Sequence, residues 1–264
     1  MEQLFIIKIG GNIIDDEVRL EKFLQQFAHI QGKKVLVHGG GKLATRLAEQ
    51  MGIQQQMVDG RRITDAQTLD LAVMVYAGLI NKSIVAQLQA RNCNAIGFSG
   101  ADGNLIQSVK RPNHLIDYGF VGDILEDGIN IYLFKTLLQN GIIPVVSPIT
   151  HDGNGQLLNT NADTIASKIA IALSSQYQVI LTYCFEKTGV LYAFENEESY
   201  IPILTKAKFT QLKAEGILTK GMLPKLDNAF AAIEQGVTKV TICKAEHLST
   251  IGTKQVIGTQ IIKK

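Results

Sequence analysis

The chain alternates short apolar runs with amphipathic stretches. Leu4 to Ile9 is a continuous apolar run carrying one lysine, Lys34 to Val37 is a second, and each ends in glycines. Runs this short and this uniformly apolar are the pattern of parallel strands buried on both faces. Between them, Leu20, Phe23, Leu24 and Phe27 fall at helical spacing within Glu17 to Ile30, and another helical pattern, Lys42 to Met51, follows Gly39-Gly40-Gly41. Strand, glycine turn and helix thus occur twice in succession.

The alternation continues to the end of the chain. Asp65 to Arg91 predicts a long helix marked by Leu69, Val73, Tyr76, Ile80, Ile84 and Leu88; its middle, VMVYAGLI, is apolar nearly all round. Such a helix buries two faces, which predicts a homodimer with one face in the core and one against a second copy. Ala95 to Phe98 and Ile142 to Val146 read as strands, with a helix from Ile131 to Asn140 ending at Gly141, while Gly100 to Asp127 is turn-rich and predicts hairpins. HDGNGQLLN is a further hairpin signal. Then come a helix from Ala162 to Ser174, a strand from Val179 to Thr182, helices from Lys206 to Glu215 and Met222 to Gln235, and strands from Lys239 to Cys243 and Gly258 to Ile262. The expected fold is α/β, a three-layer αβα sandwich with a mainly parallel central sheet. The polar turn SSQYQ, where the pattern restarts, suggests two lobes, 1–174 and 175–264.

Composition narrows the class. The 264 residues are 46% hydrophobic, enough for a sizeable core or two modest ones, and 26 basic against 24 acidic residues leave a formal charge of only +2. That balance lacks the basic footprint of a nucleic-acid binder and points to a small-molecule partner. Cys93, Cys184 and Cys243 are isolated, odd in number and without C-x-x-C spacing, against a disulfide framework or zinc site and in keeping with a reducing cytoplasm. MEQLFIIKIGG has no basic start or long apolar stretch of a signal peptide, and no uninterrupted apolar segment approaches the roughly 18 residues of a membrane span. A soluble cytoplasmic protein is expected.

The candidate chemistry begins at VHGGGK, which looks like a nucleotide P-loop and is not one. A Walker loop needs glycine five positions before the Gly-Lys pair and Ser or Thr after it; here those positions are Leu36 and Leu43. No G-x-G-x-x-G fingerprint is present there either. What remains is a buried strand delivering glycines to a helix N-terminus, where backbone N–H groups and the helix dipole favour an anion. Lys8-Ile9-Gly10-Gly11 repeats the arrangement and adds a cation. Two tight turns, with a lysine whose stem packs and whose head reaches solvent, would produce the same text.

Other polar residues carry similar double readings. Arg62, in DGRRIT, offers a bidentate fork for a carboxylate or is a surface arginine. Asn159 and Asp163, in LLNTNADTIA, lie at a hairpin end and a helix start, where Asn161 or Asp163 could serve as a cap. Lys225, after Pro224, stands at the wrong end of a helix dipole unless an anion is present. His38 reads as a packed residue, His29, His114, His151 and His247 show no metal-ligand spacing, and Asp102 and Asp152 fall in Asp-Gly turns.

KIGGN, VHGGGK, GRRIT, LLNTNAD and KGMLPKLDNA occur in this order, and together they resemble the amino-acid kinase superfamily over essentially the whole chain. The closest likeness is to members that phosphorylate N-acetyl-L-glutamate in arginine biosynthesis. The resemblance implies direct phosphoryl transfer from ATP, accompanied by Mg2+, to the side-chain carboxylate. By matching positions it implies that Lys8 and Lys225 flank the transferring phosphoryl group, that Gly11, Gly40 and Gly41 supply backbone donors, that Arg62 and Asn159 hold the α-carboxylate end, and that Asp163 organises the two lysines. It places the acid and the dimer contact in residues 1–174 and ATP in 175–264. No protein-bound metal site is implied.

The likeness fails at LTYCFEKTGVL, where many members carry Thr-Asp and a shorter turn and this chain has Tyr183. Arginine-inhibited members carry an extra N-terminal helix, so a chain opening on its first strand is expected to be an arginine-insensitive dimer. Two alternatives stay open: another acid, such as N-succinyl-L-glutamate, aspartate, glutamate or carbamate, and a non-catalytic ligand-binding regulator, which retention of both Lys8 and Lys225 disfavours.

Overall fold

The computed structural model describes every residue except 59, 60, 114, 194, 219–221, 254 and 264, and the backbone alone at 61 and 224. The start of DGRRIT, Lys220-Gly221 of the last motif, and His114 therefore lie outside the described residues.

In chain order the strands and helices are β1 (Gln3–Ile9), α1 (Gly11–Ile14), α2 (Glu17–His29), β2 (Lys33–His38), α3 (Gly41–Gln50), β3 (Met57–Val58), β4 (Arg61–Arg62) and α4 (Ala66–Ala72). A π-helical segment, Val73–Ile80, leads into α5 (Asn81–Gln89), followed by β5 (Ala95–Phe98), β6 (Ile106–Lys110), β7 (Gly122–Ile129), α6 (Ile131–Gln139), β8 (Ile143–Val146), β9 (Ile149–His151) and β10 (Leu157–Asn159). The remainder is α7 (Ala162–Leu173), β11 (Gln178–Phe185), β12 (Ile203–Leu204), α8 (Lys206–Ala214), α9 (Leu223–Glu234), β13 (Lys239–Lys244) and β14 (Thr259–Ile261), with a 3-10 turn, Ala245–Thr250, after β13.

The chain forms two compact units: 1–35 with 166–264, and 36–165. Both crossings between them fall inside regular structure, in β2 and in α7. The first unit has strand order β12-β14-β13-β11-β1. Its parallel core pairs β1 with β11 from Gln3↔Gln178 to Ile9↔Cys184, and β11 with β13 from Ile180↔Lys239 to Phe185↔Lys244. These strands are buried on both faces, which is why their sequences run apolar instead of alternating. The terminal strand β14 pairs antiparallel with β13 and parallel with β12.

In the second unit β8 lies between β2 and β5, parallel to both. A smaller sheet, β10-β9-β6-β7, is built from the two hairpins expected in the turn-rich stretch and at HDGNGQLLN. Mostly parallel sheets with helices are thus the architecture anticipated from the run pattern.

The long helix is one continuous rod from Ala66 to Gln89 with an expanded turn in its middle. By length and composition it could cross a membrane, although 44% of its most apolar window is buried inside the fold. Asp70, Asn81 and Lys82 interrupt it, so no uninterrupted apolar run marks it in the sequence. Val75, Tyr76 and Ile80 are buried, whereas Met74 and Leu79 are more than half exposed.

Lys34 is the other departure from a purely apolar strand. It is buried, and its Nζ donates to the carbonyls of Phe27, Ala28 and Ile30 at 2.8, 2.9 and 2.8 Å. Phe27 and Ala28 lie in the last turn of α2 and Ile30 is its C-cap; the Phe27 carbonyl also accepts from the Ile30 N–H at 3.2 Å, and the ammonium closes the helix at the favourable end of its dipole.

Candidate active site

The first unit carries Lys8, Gly11 and Lys225. Lys8 is 7% exposed near the carboxyl end of β1, and a Cβ added to Gly10 would lie 3.7 Å from its Nζ, so the ammonium reaches to the glycine turn. The turn opens directly into the short helix α1, where Gly11 occupies the first position and its N–H has no intrahelical acceptor.

Lys8 pairs in register with Tyr183 of β11. The Tyr183 ring is fully buried and stacks on Phe185, with centroids 6.3 Å apart, and the Nζ of Lys225 lies 4.4 Å from the Phe185 centroid. The sequence raised Tyr183 only as a departure from the family pattern. In the fold it anchors an aromatic step on which one of the two lysines rests, and the π-face favours the charged ammonium. Thr188 of the following turn donates to Glu197 at 3.0 Å, and Lys187 and Lys244 flank the same carboxylate at 3.6 and 3.7 Å.

The second unit carries the other five candidates. Gly40 has φ +151°, and a Cβ there would meet the Tyr76 ring at 3.1 Å, so the backbone needs glycine both for its conformation and for the close approach of the long helix. Gly41 begins α3, whose first N–H groups have no intrahelical acceptor. Lys42 is exposed and takes no part in the turn.

Arg62 is turned directly onto this loop. Its Nη2 donates to the Gly41 carbonyl at 2.9 Å and to Thr45 Oγ1 at 2.8 Å, and its Nη1 donates to Gln55 Oε1. Asn159 joins the group through Thr64: its Nδ2 donates to Thr64 Oγ1 at 3.1 Å, and that hydroxyl donates to the Arg62 carbonyl at 3.2 Å. Gly41, Arg62 and Asn159, 118 positions apart in sequence at their extremes, are therefore one hydrogen-bonded cluster. Asn161 caps the next helix, accepting from the N–H groups of Asp163 and Thr164 at 2.9 and 3.1 Å, so capping does not account for Asp163.

His38 is a packed residue and not a base. Its Nδ1 lies 2.9 Å from the Gly39 carbonyl and its Nε2 3.1 Å from Asn81 Nδ2, which also donates to the Val145 carbonyl at 2.9 Å. These partners fix the tautomer with hydrogen on Nδ1. Full burial pushes the imidazole pKa down to about 4, partly offset by the Gly39 hydrogen bond, so the ring is neutral. Tyr76, Gln55, Thr45, Asn81 and Phe185 are contributors that sequence reasoning missed, because apolar spacing or neutral polar side chains give no signal of a role.

Asp152 serves its turn, accepting from the N–H groups of Asn154 and Gln156 at 2.7 and 3.0 Å. Among the described residues no three His, Cys, Asp or Glu side chains are grouped to hold a metal ion. A divalent cation would here be held chiefly by the phosphates of a bound nucleotide. Chemically, the first unit offers two ammonium groups and glycine N–H donors, and the second a glycine loop with a fixed guanidinium and amide.

Comparison with known proteins agrees with that donor set. The sequence profile of the amino acid kinase family matches residues 3–244. An acetylglutamate kinase of Cytophaga hutchinsonii is 53% identical over 264 residues, 99% of each chain. Among solved structures, N-acetylglutamate synthase from Neisseria gonorrhoeae complexed with coenzyme A and N-acetyl-glutamate superposes with TM-score 0.81 at 23% identity, over 99% of this chain and 59% of that one. Carbamate kinase from Giardia lamblia bound to AMP-PNP gives TM-score 0.71 at 16% identity, over 100% and 99% of the two chains. These last two show the fold alone. With its profile match spanning nearly the full length, and its glycine turns, lysines and arginine in the places described, the chain belongs to the amino acid kinase family.

Proposed function

We propose that this chain is an ATP-dependent phosphotransferase that converts N-acetyl-L-glutamate to N-acetyl-L-glutamyl 5-phosphate in arginine biosynthesis. The observation that carries this reading is 53% identity to an acetylglutamate kinase over 99% of both chains. A side-chain carboxylate oxygen attacks the γ-phosphorus, the bond from phosphorus to the bridging oxygen breaks, and ADP leaves with that electron pair. The carboxylate is already ionised at neutral pH, so no base is required. A neutral, buried His38 suits such a reaction.

Phosphoryl transfer asks the protein for positioning and charge stabilisation. Lys8 and Lys225 are assigned to the charge on the phosphoryl group in transit, and the N–H groups of Gly11, Gly40 and Gly41 to its oxygens and those of the acceptor. Arg62 and Asn159, already tied into one cluster, are assigned to the α-carboxylate, and Asp163 is the acidic member of the set. Magnesium bound to ATP shields part of the polyphosphate charge. Residues 1–174 are assigned to the acid and to subunit contact, and 175–264 to the nucleotide.

The exposed Met74 and Leu79 on the long helix support a homodimer. Three buried free thiols suit a reducing cytoplasm.

The test is to incubate the protein with ATP, Mg2+ and each candidate acid and to trap acyl phosphate with hydroxylamine. Hydroxamate is expected from N-acetyl-L-glutamate. Signal from free glutamate or aspartate with none from N-acyl glutamates would overturn the assignment, and signal from N-succinyl-L-glutamate alone would move the acyl group.

A further inference from the structure

Tyr76 reads in sequence as one more apolar position on a helix, yet its hydroxyl is at the candidate site. Its side chain is 4% exposed and its ring lies under Gly40, 3.1 Å from where a Cβ would stand. Seen from the corresponding point on Gly41, the Tyr76 hydroxyl is 4.0 Å away and Arg62 Nη2 3.9 Å. The phenol and the guanidinium therefore converge on the space in front of one glycine, and the phenol lies within the field of the Arg62 charge.

Arginine carries donors only, so toward the guanidinium the phenol oxygen can act only as an acceptor and its own hydrogen remains a donor. Gln55 Oε1, Thr45 Oγ1 and the Gly41 carbonyl take hydrogen bonds from Arg62, and the phenol oxygen stands beside them at the same glycine. All four are neutral. They fix the direction of the guanidinium without cancelling its charge, which is the condition for receiving an anion in a set geometry.

We infer that Tyr76 is a positioning residue for the acid substrate, its hydroxyl holding the Arg62 guanidinium in the orientation that receives the α-carboxylate. The inference rests on the proposed reaction and adds to it a residue that none of the five motifs contains.

Tyr76→Phe keeps the ring beneath Gly40 and removes only the hydroxyl. Steady-state kinetics of this variant are expected to show KM for N-acetyl-L-glutamate raised about tenfold, the size associated with one polar contact to a charged group. KM for ATP, kcat to within about twofold, and Tm should be unchanged. Calorimetric titration with N-acetyl-L-glutamate in the absence of nucleotide should show the same weakening. An unchanged KM, or a fall in kcat with KM unaltered, overturns the role. Tyr76→Leu, which also removes the ring, is expected to lower Tm as well; if both variants shift Tm alone, Tyr76 is packing only and the inference is wrong. Wild-type turnover is measured first: its absence sinks the proposed reaction, whereas an active wild type with an unaltered Tyr76→Phe sinks this inference only.

Discussion

His38 shows what burial does to a single titratable group. Its folded pKa of about 4 lies below the ordinary value of 6.5, so the unfolded chain binds the extra proton first as pH falls. The stability this neutral ring contributes is complete above pH 6.5 and is lost between there and pH 4. The loss amounts to ~3 kcal/mol by linkage. Urea titrations across that range should therefore show stability falling with pH, and His38→Gln should flatten the slope; an equal slope in the variant would show that other groups carry it. Lys8 and Lys225 are the residues on which turnover is expected to depend. Lys8→Ala and Lys225→Ala should each lower kcat by about 10² to 10³ with little change in Tm, the scale seen when one preorganised charge donor is removed. Unaltered turnover in both would refute the mechanism. These two lysines were legible in the sequence because a cation inside an apolar strand, and another at the positive end of a helix, are each anomalous. Tyr76 and Phe185 were not, because an aromatic at an apolar position is ordinary until the fold shows a cation beside it.

At the level of elements, glycine and lysine set the ends. Lys34→Met should destabilise the protein by about 3 kcal/mol in denaturant titrations, because α2 would lose the charged donor that satisfies its final carbonyls. A change under about 0.5 kcal/mol would mean that water replaces the cap. The two loop glycines should separate in their effects. Gly40→Ala places a side chain at φ +151° against Ile80 and Tyr76 and is expected to lower stability by about 2 kcal/mol. At Gly41 the nearest side-chain atoms are 3.9 and 4.0 Å from a new Cβ, so Gly41→Ala should fold normally. Its methyl would stand before the helix N–H groups, and turnover should fall at least tenfold while Tm holds. The element boundaries came close to those read from periodicity: β1, α2, β5, α6, α8 and α9 each fall within a residue or two of the predicted span. The π-helical segment did not, since an apolar run has the same composition whether its hydrogen bonds close four or five residues back.

For the whole molecule, the proposed homodimer would use as its contact surface the face left open on the long helix, where Met74 and Leu79 are exposed. Met74→Glu with Leu79→Glu should convert a dimer to a monomer in light scattering, with the far-ultraviolet circular dichroism preserved. A wild-type monomer would refute the dimer, and a double variant that stays dimeric would place the contact elsewhere. By itself the sequence determined the α/β class, the parallel strands and the glycine turns that end them, because burial on both faces and helix periodicity are local patterns. Ordered motifs likewise supplied the family likeness and its lysines. Only the tertiary structure decided which neutral residues hold the charged ones. Gln55, Thr45 and Tyr76 reach Arg62 because a short hairpin, α3 and the long helix meet at one glycine. Phe185, stacked on Tyr183, reaches Lys225 because a strand and a distant helix come together in the first unit. Hydrogen bonds and cation–π contacts act over a few ångströms, and such distances between remote segments exist only once the chain has folded.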